Sequence, residues 1–271
     1  MVSRRPHGTT TFPVDISCDG HVHTSLCNHA RGTMEEYVLA AIKNNLKTII
    51  FTEHLEAGIS YYKRLWLTDH DFKQYFREGK RLQEKYRGRI TIKLGAEVGF
   101  NPARIGELKA RIQRFSWDKI GLSYHFFAIG EKHYNIVSRR SYSLDPLVAQ
   151  GAEQVLSRYF DCLLQALEEI DADVLCHLDA ALRYHPNLQF QDSHRRRCRA
   201  ILDLMVKKNV ALEINTSGYA IRGEPFPATF LVREAVQRGI TLAPGSDAHS
   251  PEQVGAFFDQ IPAFVAAAAR P

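Results

Sequence analysis

The sequence predicts an α/β fold, a closed barrel of seven parallel strands in a single domain. Three observations predict it. Apolar runs of strand length alternate with segments of helical periodicity from residue 14 onward. No return hairpin joins two of the strand-like runs, so they read as parallel and linked by right-handed crossovers. Six of the seven runs end at a residue able to bind metal, and in a closed α/β barrel the active site lies at the carboxyl ends of the strands.

The apolar run Val14 to Cys18 reads as a buried first strand, and alternation beyond it puts His21 and His23 on one side. Thr33 to Asn45 opens on a capping Thr with Glu36 three residues on, then repeats apolar residues at helical spacing. Thr48 to His54 is a strand with its histidine just past the end, and Leu55 to Thr68 is a loop rich in Tyr, Lys and Arg. Asp69 to Tyr86 reads as a helix, Ile90 to Gly95 as a strand leading to Glu97, Pro102 to Arg114 as a helix, and Lys119 to Ser123 as a strand leading to His125. Pro146 to Ile170 is the longest helical stretch, and strand Ala172 to Cys176 delivers His177. Helix Ser193 to Asn209 precedes strand Val210 to Ile214, and helix Pro227 to Arg238 precedes strand Ile240 to Ala243, which runs on to Asp247 and His249. Pro251 opens a last helix. Residues 1–13 form an N-terminal extension and 14–271 the barrel.

Composition narrows the class. At 271 residues, with 45% hydrophobic and 24% charged side chains, the chain has ordinary globular balance, which excludes disordered and fibrous classes. The formal charge of +5 attracts anions mildly but falls short of the basic stripe of a nucleic-acid binder, so a small anionic partner is expected and nucleic acid is not. Cys18, Cys27, Cys162, Cys176 and Cys198 form no CxxC pair and are odd in number, which argues for free thiols in a reducing cytosol. No apolar segment follows Arg4 and Arg5, and no stretch approaches the length of a membrane span. A cytoplasmic protein is expected. Neither a P-loop nor a dinucleotide fingerprint is present.

The candidate metal ligands are His21, His23, His29, His54, Glu97, His125, His177, Asp247 and His249. Nine are too many for one tetrahedral ion but suit two or three divalent ions that share a bridging carboxylate. Imidazole with carboxylate accepts zinc, manganese or iron. With only two carboxylates in the set the loaded site stays cationic, so it favours a dianionic phosphate monoester. The expected chemistry is phosphate hydrolysis by a metal-bridging hydroxide, with metals and arginine stabilising the transferring group.

DGHVH at 19–23 with His29 beyond it, TEH at 52–54, GAE at 95–97, SYH at 123–125, HLD at 177–179, EIN at 213–215 and GSDAH at 245–249 resemble, in order, the motifs of the PHP (polymerase and histidinol phosphatase) family. The resemblance covers roughly residues 15 to 260. It implies a distorted seven-stranded TIM-like barrel, (β/α)7, with a trinuclear site. By that resemblance His21, His23, Glu97 and Asp247 hold one ion, Glu97, His125 and His177 a second, and His29, His54 and His249 a third. The stretch from Asn215 to His249 further resembles the histidinol-phosphatase branch, which implies hydrolysis of L-histidinol phosphate in histidine biosynthesis. The alternatives are a PHP-type phosphoesterase acting on another ester, nucleotide or short oligonucleotide, an amidohydrolase-type C–N hydrolase, or a non-catalytic binding module. The cationic site counts against the third of these four readings, and the complete ligand set against the last.

Asp19 and Asp179 sit beside candidate ligands and read as carboxylates that orient an imidazole, with a plain structural role as the alternative. Arg222, which matches a basic position in the histidinol-phosphatase pattern, and Arg183, just past His177, are candidate substrate contacts. His7, His70, His133, His185 and His194 are expected to be solvated, and Arg195, Arg196, Arg197 and Arg199 to form a charged helix face. The tyrosines and Trp66 after His54 are candidates for a lid.

Overall fold

The computed structural model describes residues 14–185 and 188–270. The expected N-terminal extension, with His7, lies outside the described residues. The chain runs β1 (Cys18–Val22), α1 (Met34–Lys43), β2 (Thr48–Leu55), α2 (Asp69–Lys85), β3 (Thr91–Gly99), α3 (Ile105–Ile112), β4 (Ile120–Ser123), β5 (Phe126–Ile129) and β6 (Lys132–Asn135). It continues α4 (Ser141–Ala149), α5 (Ala152–Glu169), β7 (Val174–Leu175), α6 (Asp192–Lys208), β8 (Ala211–Asn215), α7 (Tyr219–Arg222), α8 (Thr229–Gln237), β9 (Leu242–Gly245) and α9 (Ile261–Ala268). Seven strands make one sheet in the order β1-β2-β3-β4-β7-β8-β9, every neighbouring pair parallel. The two edges meet at one parallel bridge, Val22 to Ala248, where the His23 amide donates to Ala248 O at 3.0 Å and the Asp247 amide to His21 O at 2.9 Å. The result is a nearly closed α/β barrel in a single domain.

Local chemistry starts the helices where the sequence places them. Thr33 and Glu36 form a reciprocal capping box on α1, and Thr68 with Asp71 does the same on α2. Helix α2 turns Phe72, Tyr75 and Leu82 inward, and the Tyr75 hydroxyl lies 3.0 Å from the carbonyl oxygens of both Phe51 on β2 and Gly95 on β3. Gly79 lets that helix approach, since a Cβ there would sit 2.4 Å from Leu94 Cδ2. Helix α5 buries Val155, Leu156, Tyr159, Phe160 and Leu163 against the other side of the barrel.

Four expectations are corrected. The first strand is not Val14 to Cys18 but Cys18–Val22, because Asp15 accepts from the Ser17 amide at 3.0 Å and turns the chain before it pairs. Phe126 to Asn135 folds into an antiparallel hairpin, β5 with β6, around Gly130 at φ 59°, so the chain does contain a return hairpin outside the barrel sheet. The stretch Pro146 to Ile170 is two helices, interrupted at Gly151 with φ 85°. After Pro251 the chain makes only 3-10 turns until α9 begins at Ile261. Separately, His194 is buried rather than solvated, packed between Phe160 and Phe190, with Nδ1 accepting from the Gln191 amide at 3.1 Å.

Asp19 secures the seam where the barrel closes. Its carboxylate accepts from the amides of His21 at 3.3 Å, Ser246 at 3.0 Å and Gly255 at 2.8 Å. Asp19→Ala would strand these donors and is expected to destabilise the metal-free protein by about 2–4 kcal/mol. Urea unfolding checks this, and an unchanged midpoint would mean that the seam holds without the carboxylate.

Candidate metal centre

Glu97 lies at the centre of the site. It sits near the end of β3, fully buried, and the parallel register places His54 of β2 directly beside it. The other strand ends aim at the same point. Alternation along β1 delivers His21 and His23, whose Nε2 atoms lie 3.5 and 3.6 Å from Glu97 Oε2, while His54 Nδ1 lies 2.8 Å from it. His125 Nε2 and His177 Nε2 lie 3.1 and 2.8 Å from the other oxygen, Oε1. Asp247 Oδ1 lies 3.3 Å from His23 Nε2 and 3.8 Å from His21 Nε2. His29 and His249 complete the array, with Nε2 atoms 2.8 Å apart. His177 and Asp247 adopt left-handed backbone, φ 27° and 54°, a strained conformation for residues with a Cβ.

All nine expected ligands therefore converge on one barrel mouth. The geometry groups His21, His23, Glu97 and Asp247, groups Glu97, His125 and His177, and pairs His29 with His249. His54 lies between these groups, with its ring 4.1 Å from that of His23 and 5.1 Å from those of His29 and His125.

The donor set fits cations. His21 Nδ1 donates to Glu213 at 2.6 Å and His125 Nδ1 to Glu56 at 2.8 Å, while His29 and His249 donate Nδ1–H to the carbonyls of Cys27 and Asp247 at 3.0 and 2.8 Å. The neutral form of each ring thereby keeps its proton on Nδ1 and turns an Nε2 lone pair inward, and in His21 and His125, whose protonated forms the carboxylates favour, a bound cation would take the place of the Nε2 proton. The facing Nε2 atoms of His29 and His249 cannot satisfy each other in that tautomer. Glu97 Oε2, which His54 Nδ1 approaches to 2.8 Å without the alignment of a hydrogen bond, and His54 Nε2 are both buried without a hydrogen-bond partner, a costly arrangement unless a positive charge is received there. Zinc, manganese and iron all suit these donors.

Charge bears this out. Burial alone would raise the Glu97 pKa, yet the imidazoles of His125, His21 and His54 hold it well below the usual carboxylate range. Crowding at the array and the neighbouring His54 and His249 hold His29, which keeps an exposed edge, below the usual imidazole range, the neutral state in which imidazole binds a cation. Burial opposes protonation of His125, but Glu97 and Glu56 outweigh it and push its pKa up to about 10. The gathered carboxylates thus attract positive charge.

Three carboxylates were missed from sequence: Glu213, Glu56 and Glu53. Glu213 also accepts from the His177 amide at 2.8 Å, and Glu53, pushed up to about 8 by burial, accepts from the Thr24 amide at 2.8 Å. The available signal was an acid inside an apolar strand, as in ALEIN and IIFTEH, where burial requires a partner.

The roles expected for Asp19, Asp179 and Arg222 are corrected. Asp19 binds backbone amides, and Asp179 accepts from Arg222 Nη1 at 3.0 Å and the Ala228 amide at 2.9 Å, so neither carboxylate orients an imidazole. Arg222 is committed to Asp179 and to Pro225 O, and its guanidinium stacks 4.0 Å from the centre of the Phe226 ring. It does not line the cavity over the metal-ligand array. Arg183 does: that cavity, about 460 Å³, is bounded by Arg183, Tyr61, Phe126 and the site histidines other than His21 and His23. Of the lid candidates, Tyr61 and Tyr62 line it and Trp66 instead packs edge-on against Phe126.

The PHP domain model matches residues 19–217. A relative from Deinococcus radiodurans named "Probable histidinol-phosphatase" is 30% identical over 244 residues, 88% of each chain. A solved chain from Listeria monocytogenes superposes with a TM-score of 0.83 at 21% identity, covering 90% of this chain and 99% of that one. A histidinol phosphate phosphatase from Lactococcus lactis, solved with zinc, L-histidinol and phosphate, gives a TM-score of 0.77 at 20% identity and 94% coverage of both.

Two substitutions test the array by elemental analysis after mild purification. Glu97→Gln is expected to abolish bound metal. Glu213→Gln, which only loosens the hold on His21, is expected to weaken metal affinity by roughly 10- to 100-fold. Full metal content in the Glu97 variant would refute a central role for that carboxylate.

Proposed function

Because the chain belongs to the PHP domain family, we propose that it is a metal-dependent phosphomonoesterase that hydrolyses L-histidinol phosphate to L-histidinol and inorganic phosphate. The observation that carries this reading is the convergence of inward-facing imidazole and carboxylate atoms on Glu97, at the floor of a cavity that also holds Arg183. His21, His23, Glu97 and Asp247 would hold one divalent ion, Glu97, His125 and His177 a second, and His29, His54 and His249 a third. Bound there, such ions place positive charge on the phosphoryl oxygens and lower the pKa of water.

The chain's own groups do the rest. Glu213 and Glu56 fix the rings of His21 and His125 through Nδ1, so the ligand geometry is set before substrate arrives. Arg183 is held by Nε against Val137 O at 3.0 Å, and its terminal nitrogens have no hydrogen-bond partner among the described residues. That fork matches two phosphoryl oxygens, and its charge opposes the negative charge that develops as the P–O ester bond breaks and water adds to phosphorus. The Lactococcus relative's histidinol and phosphate support the organic half of the assignment.

The partner in this reading is a small anionic ester, not a nucleic acid. Five free thiols suit a cytoplasmic setting, and no described helix is long and apolar enough to cross a membrane.

The metal-loaded protein is expected to turn over histidinol phosphate with a higher kcat/KM than any nucleotide or sugar phosphate in a panel. Nucleotides hydrolysed far faster would overturn the substrate assignment. Arg183→Ala is expected to keep its metal and lose about 2–4 kcal/mol of transition-state stabilisation. Steady-state kinetics decide this, and wild-type kcat/KM in the variant would remove Arg183 from the mechanism.

A further inference from the structure

The outer rim of the cavity is basic without an evident partner. Lys63, Arg139 and Arg140 line it, and none forms a salt bridge among the described residues. Elsewhere on the surface the arginines commonly find carboxylates: Arg81 pairs with Glu35 and Glu78, Arg197 with Asp161, Arg199 with Glu234 and Arg238 with Asp203. The carboxylates that line this cavity, Glu56, Glu97 and Asp247, all lie on its floor against the imidazoles.

The rim is built rather than loose. The His133 amide on the β5–β6 hairpin donates to Ser60 O at 2.8 Å, and the Ser60 amide donates back to His133 Nδ1 at 3.1 Å. Tyr61 lies 3.0 Å, oxygen to oxygen, from Ser143 of α4, and its ring packs on Phe126, Tyr62 and Tyr142. Lys63 Nζ donates to Asn28 O at 2.6 Å, which fixes its position while leaving its charge uncompensated. Arg139 and Arg140 leave this framework immediately before α4.

Histidinol phosphate does not call for such a rim. Its phosphate belongs on the floor and its organic half carries an ammonium group, which three outer cations repel. A second cleft, of about 240 Å³, opens from the same floor: it shares Arg183, Tyr184, Asp247 and His249 with the first and is otherwise lined by uncharged groups such as Thr216, Ser217 and Phe257. The organic half of histidinol phosphate has somewhere neutral to go.

We propose that the rim of Lys63, Arg139 and Arg140 is a second anion subsite, which gives the chain a further activity on phosphate monoesters that carry a second phosphate on their organic part. The proposal rests on the phosphomonoesterase reading and adds a substrate class to it. One phosphate occupies the floor and is cleaved. The other is held at the rim by guanidinium groups suited to bidentate contact.

The test compares fructose 1,6-bisphosphate with fructose 1-phosphate, two esters that differ by one phosphate, on the metal-loaded protein. Wild type is expected to favour the bisphosphate at least tenfold in kcat/KM, and the R139A/R140A double variant, checked for wild-type metal content and Tm, to bring the ratio to within twofold of unity. A wild-type ratio near unity, or a ratio that the double variant leaves unchanged, overturns the subsite. If neither ester nor histidinol phosphate is hydrolysed, the phosphatase reading itself fails. Calorimetric binding of the bisphosphate then decides the rim separately: weaker binding by the double variant supports it, and equal affinity overturns it.

Discussion

A carboxylate with no exposed surface, surrounded by imidazoles, is the constraint on which this barrel depends. Removing Glu97 from water carries a penalty that only nearby positive charge or strong donors can offset. Those partners come from four separate strand ends, so with Glu97 itself on β3 the register between β1, β2, β3, β4 and β7 is set as much by this one group as by the apolar core. Carboxylates further out then hold the imidazoles from behind. Polar groups buried in this layered way need every partner in place, which explains why glycine is required beside them: a Cβ on Gly99 would lie 1.9 Å from Glu56 Oε1, and one on Gly245 2.2 Å from Glu213 Oε1.

The architecture divides its tasks. The strands carry the groups that must be rigid, while the hairpin and the loop after β2 carry the groups that meet the outer part of a ligand. His177 and Asp247 depart from relaxed backbone at the junction between the two, where direction matters more than local comfort. The two clefts that leave the floor therefore differ in charge although they share four residues.

The barrel was legible in the sequence because a buried parallel strand cannot hide its composition. Ile49 to Phe51 and Leu94 to Ala96 are continuous apolar runs, and the acids and histidine that follow them, Glu53, His54 and Glu97, have no role on a surface. The convergence of His54, Glu97, His125, His177 and Asp247 on one mouth followed from that, whereas His29 reaches it from a turn beyond β1. What the sequence concealed was the company each polar residue keeps. Asp19 beside His21 looks like a ring-orienting carboxylate, but its side chain points across the seam to amides more than two hundred residues away. Arg222 looks available until Asp179 and Phe226 are brought to it by the fold. The hairpin at Gly130 did leave a local signal, a Gly-Glu pair between two short runs that carry aromatic residues, overridden by the strength of the surrounding strand and helix alternation.

The seam of the barrel has a consequence of its own. Between β1 and β9 the sheet closes through a single bridge, yet His21 and His23 stand on one side of that join and Asp247 and His249 on the other. Any ion held by both sides acts as a rivet across the weakest line of the fold. Chelation would then do more than silence the enzyme. It would lower the temperature at which the barrel opens, by an amount that grows with the free concentration of the ion before removal, so the melting temperature of this protein becomes a gauge of how much metal its surroundings supply.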